Sequence, residues 1–481
     1  MGSGTRWALV VVGATAAAQV ARLGRLAPVL LAGALVAGNL AVVRWQGRRA
    51  VAGGFDPRWL AGPLGAAWLL VTLLPLHTFS HRPVTAGAPG VDAEAVLQVL
   101  GSLAAAAVAV LVVRAFEPTL DRMRPPVALF LLPVWTAVSC LWSPTGPYAL
   151  VRGVQLMVLG LLAWATVALG RVDPGAVREM VEVVLRWFVR ITFVLIALGV
   201  LFGPLYVSAS EANLERFTWM GAHPLASGMV ISVALVIVLA VPAQVLRVPR
   251  WARAGAVVGL VAALVPNHSR QSWLGLALAV VVGLGLGGHL TRAARWVGGP
   301  ILGAAVVGGI AFRGPQLWDY LLRNEDSDKL SSGNGRLELW GIGFDALHSP
   351  LQWLIGLGHG VTRTLFVAEA PWARSAHSSI LAAIVSLGLI GLLTLVAVLG
   401  TTIAGVARSR LWAAGPAGFA LVLALVLVLV NGLVSDNLVI PNIGSGLLWL
   451  VAAVARSGFD AVTLRGSPPV AVGRPSVVGS R

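Results

Sequence analysis

Apolar runs of about 18 to 20 residues, long enough to cross roughly 30 Å of hydrocarbon as helix, follow one another along nearly the whole chain with short polar breaks between them. They lack the two-residue alternation of a half-buried strand and the ~10-residue alternating segments of a membrane barrel. The pattern predicts about 14 helical spans, or about 12 without the weakly marked first and ninth. They run Trp7 to Ala21, Leu26 to Val43, Trp59 to Leu76, Ala95 to Val113, Pro126 to Trp142, Leu150 to Gly170, Trp187 to Val207, Leu225 to Leu246, Ala254 to Pro266, Gln271 to His289, Trp296 to Phe312, Ser378 to Ala407, Leu411 to Val434 and Leu438 to Ala455. The fold class is all-α, a polytopic helical membrane protein with a long, partly helical extracytoplasmic loop.

Charge supplies the orientation. Arginines gather in every second break: Arg44, Arg48, Arg49 and Arg58; Arg114, Arg122 and Arg124; Arg171, Arg178 and Arg186; Arg247, Arg250 and Arg253; Arg292 and Arg295; Arg408 and Arg410; and the tail from Arg456. Basic residues mark cytoplasmic loops, so both termini are expected in the cytoplasm. The alternate breaks are nearly free of them: "SPTGPYA" and "SDN" carry none, and the break near Glu211 carries only Arg216. One outer break is long, about 65 residues from Arg313 to His377. Within it "LELWGIGFDALHSPLQWLIGLG" is apolar but interrupted by Asp345, His348 and Pro350, which predicts partly helical structure lying on the bilayer and not another span. The chain divides into N-terminal transmembrane helices (1–125), central transmembrane helices (126–312), the extracytoplasmic loop (313–377), C-terminal transmembrane helices (378–465) and a disordered cytoplasmic tail (466–481).

Composition sharpens this reading. Of 481 residues, 57% are hydrophobic and 11% charged, whereas a soluble chain carries about 25% charge. The net charge of +16 could point to nucleic acid, but the basic residues sit in short clusters between spans with no soluble domain to present them, so no nucleic-acid partner is expected. The single cysteine, Cys140, excludes an intrachain disulfide.

Four polar features fall on the outer side, and among them Arg270 defies the arginine rule. Arg270 stands in "VPNHSRQSWLG", Arg152 in "SPTGPYALVRG", His223 in "MGAHPLASG", and the long loop carries Arg336 in "GNGRLELW" and ends at His377. Each has a plain alternative: an arginine whose stem snorkels to the interface, a loop charge in water, a histidine or proline at a helix entrance. Ionisable groups at span ends are costly unless paired or facing a cavity, which makes them candidates for a site. Guanidinium groups bind phosphate oxygens through paired hydrogen bonds, and imidazole accepts a proton at neutral pH. Together they fit a lipid-pyrophosphate substrate whose sugar is passed to an acceptor hydroxyl. The acidic triplet Asp326 to Asp328 has no matching ligand cluster, and "GLGHG" follows no strand, so neither metal nor nucleotide cofactor is expected.

Four blocks resemble the O-antigen ligase and O-antigen polymerase superfamily of bacterial membrane glycosyltransferases: "RFTWMGAHPLASGMV", "SRQSWLGLALAVVVGLGL", "GRLELWGIGFDALHSPLQWLIGLGHG" and "AHSSILAAIVSLGLIGLL", with "LWSPTGPYALVRGVQLMVLGLL" a weaker fifth. Ser378 stands where the family pattern usually has asparagine after the histidine. The resemblance implies a metal-independent transferase in the bacterial cytoplasmic membrane, with its active site outside the cytoplasm. It would transfer or polymerise a glycan from a polyprenyl-pyrophosphate carrier onto a glycan or glycolipid acceptor. By residue match Arg270 and Arg336 would hold the pyrophosphate, Arg152 would assist, His377 would be catalytic, and His223 and Trp340 would line the groove. A transporter of lipid-linked glycans and a structural scaffold are the rivals. The first would show repeated halves and broken mid-membrane helices, and no repeat is visible.

Overall fold

The computed structural model describes residues 56–74, 93–116, 126–202, 216–219, 224–286, 336–369 and 376–460. These residues form α1 (Ala61–Leu73), α2 (Ala93–Ala115), α3 (Ala128–Val138), α4 (Gly146–Val172), α5 (Pro174–Phe202), α6 (Pro224–Ala240), α7 (Ala243–Leu246), α8 (Arg250–Leu264), α9 (Arg270–Gly285), α10 (Arg336–Asp345), α11 (Pro350–Ile355), α12 (Val361–Glu369), α13 (Ser379–Ser409), α14 (Pro416–Leu433) and α15 (Ile443–Val454). No strand occurs among the described residues. Among the described residues, five helices are long and apolar enough to cross a membrane, over Val96–Ala115, Gly146–Val172, Pro174–Leu201, Ser379–Ser409 and Pro416–Leu433, and α3, α6, α9 and α15 are shorter apolar helices. The all-α polytopic architecture follows. The predicted spans near Trp7, Leu26 and Trp296, the acidic triplet, His223 and the tail after Gly466 lie outside the described residues.

Helix α4 runs through the bundle, packed against α2, α3 and α15. A membrane interior offers no water to drive helices together, so close packing and a few polar clasps hold them. Trp68 on α1 donates its indole N–H to Thr166 Oγ1 on α4 at 3.0 Å, and Trp449 on α15 donates to the Leu129 carbonyl of α3 at 3.0 Å.

Helix α5 begins at Pro174, well before the Trp187 start that hydropathy predicts. Its first turns carry Arg178, Glu179 and Glu182, and Arg178 bonds Glu182 at 3.4 Å one turn on. Such i,i+4 pairs support a helix that an apolar scan cannot see.

Helix α13 is broken at Gly388, whose φ of 69° and ψ of −168° are far from helical. A break frees carbonyls that hydrocarbon cannot solvate, so protein groups must meet them. Here the Leu357 N–H donates to the Val385 carbonyl and the Gly358 N–H to the Ser386 carbonyl, both at 2.9 Å. The Trp135 indole N–H donates to the Leu387 carbonyl, also at 2.9 Å. The loop that follows α11 therefore does more than lie on the surface as predicted. Its backbone sits against α13 nine residues, ~14 Å, along from Ser379. Gly356, Gly358 and Gly360, with φ of 75°, 97° and 91°, turn the chain there.

Candidate functional site

Two helices begin at a candidate residue: Arg270 is the first residue of α9, and His377 lies two residues before α13. The third candidate, Arg336, lies on α10, which is described from that residue onward. A helix start presents unpaired N–H groups and the positive end of the helix dipole, a setting made for anions.

The entrances to α9 and α13 share one construction. Each has a histidine in the left-handed region, His268 at φ 51° and His377 at φ 48°, followed by a serine at the N-cap position, of which only Ser378 caps with its side chain. Histidine is among the residues enriched in that region, and strain of this kind clusters at working sites. Ser378 Oγ accepts from the Leu381 N–H at 3.4 Å. Serine and asparagine are both strong N-caps, so the departure from the family pattern at Ser378 keeps the cap.

The turn before Arg270 is bolted in place by groups the sequence reading passed over. Buried Arg216 donates through Nε to the Asn267 carbonyl at 3.1 Å and through Nη2 to the His268 carbonyl at 3.4 Å. Asn267 Nδ2 donates to the Phe217 carbonyl at 2.8 Å and to Ser227 Oγ at 2.9 Å. Gly228 on α6 leaves room for this polar turn: a Cβ there would come within 2.5 Å of Asn267 Oδ1 and 2.6 Å of Ser272 Oγ. Arg216 reads in sequence as one stray charge in a near-neutral break. Only the fold shows that it is a clamp.

Electrostatics join the three residues. Burial, and then the charge of Arg270, hold the Arg336 guanidinium below its usual range. Burial, and then Arg336, push the His377 ring down to about 4. Each member therefore feels the next, and His377 is neutral near pH 7. Two further groups adjoin them. Gln271, beside Arg270, is buried, and neither atom of its amide has a hydrogen-bond partner among the described residues. Trp340 follows Arg336 by one helical turn, on the same face of α10, and its buried indole N–H likewise has no partner among the described residues.

Loop 434–442 rests on the start of α13. Ser379 Oγ donates to the Ser435 carbonyl at 2.7 Å and accepts from the Leu438 N–H at 3.1 Å. Within that loop burial pushes the Asp436 carboxyl up to about 6, against a backbone hydrogen bond that pulls it down. The sequence showed "SDN" only as a break without basic residues. The signal available was a lone acid between two apolar runs.

Arg152 is engaged by a second set of groups. Buried in α4, it donates through Nη1 to Gln98 Oε1 and Gln155 Oε1, both at 2.8 Å, and lies 5.0 Å from the Tyr148 ring centre. Tyr148 stacks on His359 at 6.2 Å. Burial, with Arg152 adding to it, pushes the His359 ring down to about 3. Arg270, Arg336 and His377 are linked to one another, whereas these contacts link Arg152 to His359.

Residues 255–396 match the protein-family model described as O-antigen ligase. No curated protein matches the chain. The matched stretch contains Arg270, Arg336, Trp340 and His377, while Arg152 and His223 precede it. It supports a glycosyl-transferring membrane enzyme. The match over residues 255–396 thus supports the O-antigen ligase and polymerase superfamily that the sequence blocks resemble.

Proposed function

We propose that the protein transfers or polymerises a glycan from a polyprenyl-pyrophosphate carrier onto an acceptor hydroxyl at the outer face of the bacterial cytoplasmic membrane, in cell-envelope polysaccharide synthesis. The observation that carries this reading is the electrostatic influence that links Arg270, Arg336 and His377, two of them at helix starts. Arg270 and Arg336 hold the pyrophosphate. The acceptor oxygen attacks the anomeric carbon and gives its proton to neutral His377. The bond from that carbon to the pyrophosphate oxygen breaks, and the electron pair leaves with the polyprenyl pyrophosphate.

Negative charge grows on the leaving group as this happens. Fixed guanidinium groups and helix N-termini therefore stabilise the transition state more than the ground state. The incoming pyrophosphate also offsets the repulsion between Arg336 and the protonated ring, so His377 becomes a better base once the donor is bound. A single displacement inverts the anomeric configuration.

The test is transfer in proteoliposomes supplied with lipid-pyrophosphate donor. Arg270→Ala and His377→Ala insert normally, and each loses on the order of 10²–10³ in rate. Unchanged transfer by either variant removes that residue from the mechanism. Movement of donor across the bilayer without a new glycosidic bond identifies a transporter instead. Mass spectrometry of envelope glycans after deletion then separates the two family activities: single repeat units on the acceptor mark a polymerase, and complete chains stranded on the carrier mark a ligase.

A further inference from the structure

At the far end of α8 from Arg270, ~22 Å away along the helix, lies a cavity of about 270 Å³ between α5, α6, α7 and α8. Arg186 and Arg190 of α5 and Arg253 of α8 line it, together with apolar side chains such as Val189, Phe193 and Val238. Arg253 is engaged with the end of α6, donating to the Val238 carbonyl at 2.8 Å and the Leu239 carbonyl at 3.0 Å. Arg186 is buried, 8% exposed, yet among the described residues it makes one hydrogen bond, from Nε to the Val245 carbonyl at 3.2 Å. Its two terminal nitrogens have no partner there. Arg190 lies 4.9 Å from the Trp187 ring centre and makes no hydrogen bond or ion pair among the described residues. Arg247 is close enough to repel both Arg186 and Arg190. Glu182 and Glu179 offset part of this at Arg186, although Glu182 is also bonded to Arg178.

Cations held together around an apolar-walled cavity, with donors left over, fit a ligand that is anionic at one end and apolar at the other. The level in the membrane agrees. Trp251, one residue before the cavity-lining Ala252, is 78% exposed, as tryptophans at the headgroup boundary are. The positive-inside pattern puts this end of α5 and α8 at the cytoplasmic leaflet, where anionic lipids concentrate and basic pockets between helices take their headgroups.

We infer that this cavity binds the phosphate of an anionic phospholipid of the cytoplasmic leaflet, held by Arg186 and Arg190, with the acyl chains running out along the apolar wall. The inference stands apart from the transferase reading, since it concerns the opposite end of the helices and needs no reaction.

The test is native mass spectrometry of the full-length protein in non-ionic detergent, offered phosphatidylglycerol and phosphatidylcholine of the same chain length. Phosphatidylglycerol is retained in preference. Arg190→Gln, at a side chain whose described contact is a ring, lowers its retention about fivefold, equivalent to about 1 kcal/mol. Arg186→Ala lowers it further, and if that variant fails to fold, Arg190→Gln decides alone. Arg171→Gln, at an exposed arginine ending α4 outside the cavity, leaves retention unchanged. Equal retention of the two lipids, no effect of Arg190→Gln, or an equal effect of Arg171→Gln overturns the inference. Displacement by inorganic phosphate at concentrations comparable to the lipid also overturns it, by assigning the cavity to a free anion.

Discussion

Replacing Gly388 by alanine tests whether the loop after α11 is locked into the break in α13. A Cβ at 388 would stand 2.3 Å from the Leu354 carbonyl oxygen and 2.5 Å from the Gly356 nitrogen, both backbone atoms that cannot rotate away. The backbone angles there belong to a region that only glycine enters freely, at a cost of roughly 1–3 kcal/mol for another residue. Forcing the loop away loses the hydrogen bonds from Leu357 and Gly358, about 1 kcal/mol net each. The sum, about 4 kcal/mol, corresponds to a ~1,000-fold rise in local opening. Hydrogen exchange at the Leu357 and Gly358 amides reads this directly. Gly400→Ala is the matched control, on the same helix with nothing within 4 Å of the added carbon. It gains up to about 1 kcal/mol from helix propensity and leaves exchange at 357 and 358 unchanged. Native protection at both amides in Gly388→Ala, with full glycan transfer, would refute the locking argument.

The remaining predictions concern charge and burial. His377 and His359 have native values of about 4 and about 3, both below the unfolded histidine value near 6.5. The unfolded chain therefore binds more protons between those limits, and their stabilising contribution, complete above pH ~6.5, is lost as pH falls, by about 2 kcal/mol per histidine at pH 5. Thermal unfolding in detergent across that range checks it, and a flat profile refutes it. Arg336→Gln lowers overall transfer but moves the acid limb of kcat/KM upward by about 1 pH unit, because a like charge beside His377 is gone; an unmoved limb would separate the two residues. Asp436 is raised to about 6, so its contribution is present at low pH and lost as pH rises through that value. Asp436→Asn accordingly stabilises the protein at pH 8 and has little effect at pH 4, measured by the same unfolding assay. Gln271→Leu removes a buried amide whose polar atoms lack partners and raises stability by about 1–3 kcal/mol. It weakens donor binding, because that unpaired amide stands beside Arg270; a stabilised variant with unchanged KM would make Gln271 structural.

Much of the architecture was legible because a membrane imposes a length rule that apolar runs obey. The helix starts at Arg270 and Ser379 fall within a residue of the predicted starts at Gln271 and Ser378. The extension of α5 was hidden because its first turns are held by Arg178 and Glu182, which lower the hydropathy that marks a span. The break at Gly388 was hidden for a different reason: "SLGLIG" has the composition of an unbroken span, and the break exists only because Leu357, Gly358 and Trp135, distant in sequence, supply the donors. At the site, Arg270, Arg336 and His377 were visible because charge is conspicuous in an apolar chain. Their pairwise influence, the clamp by Arg216 and the raised carboxyl of Asp436 arise from burial and three-dimensional proximity, which spacing along the chain does not encode.

The broken span also bears on biogenesis. An isolated α13 leaving the translocation channel into lipid would have three bare carbonyls if already bent, each costing several kcal/mol. It therefore enters straight and bends when the 354–358 segment, translated earlier, docks against it. Maturation then includes a late step in which a finished transmembrane segment is remodelled by a strap from the preceding loop, and variants that weaken the strap would accumulate protein that is inserted but immature.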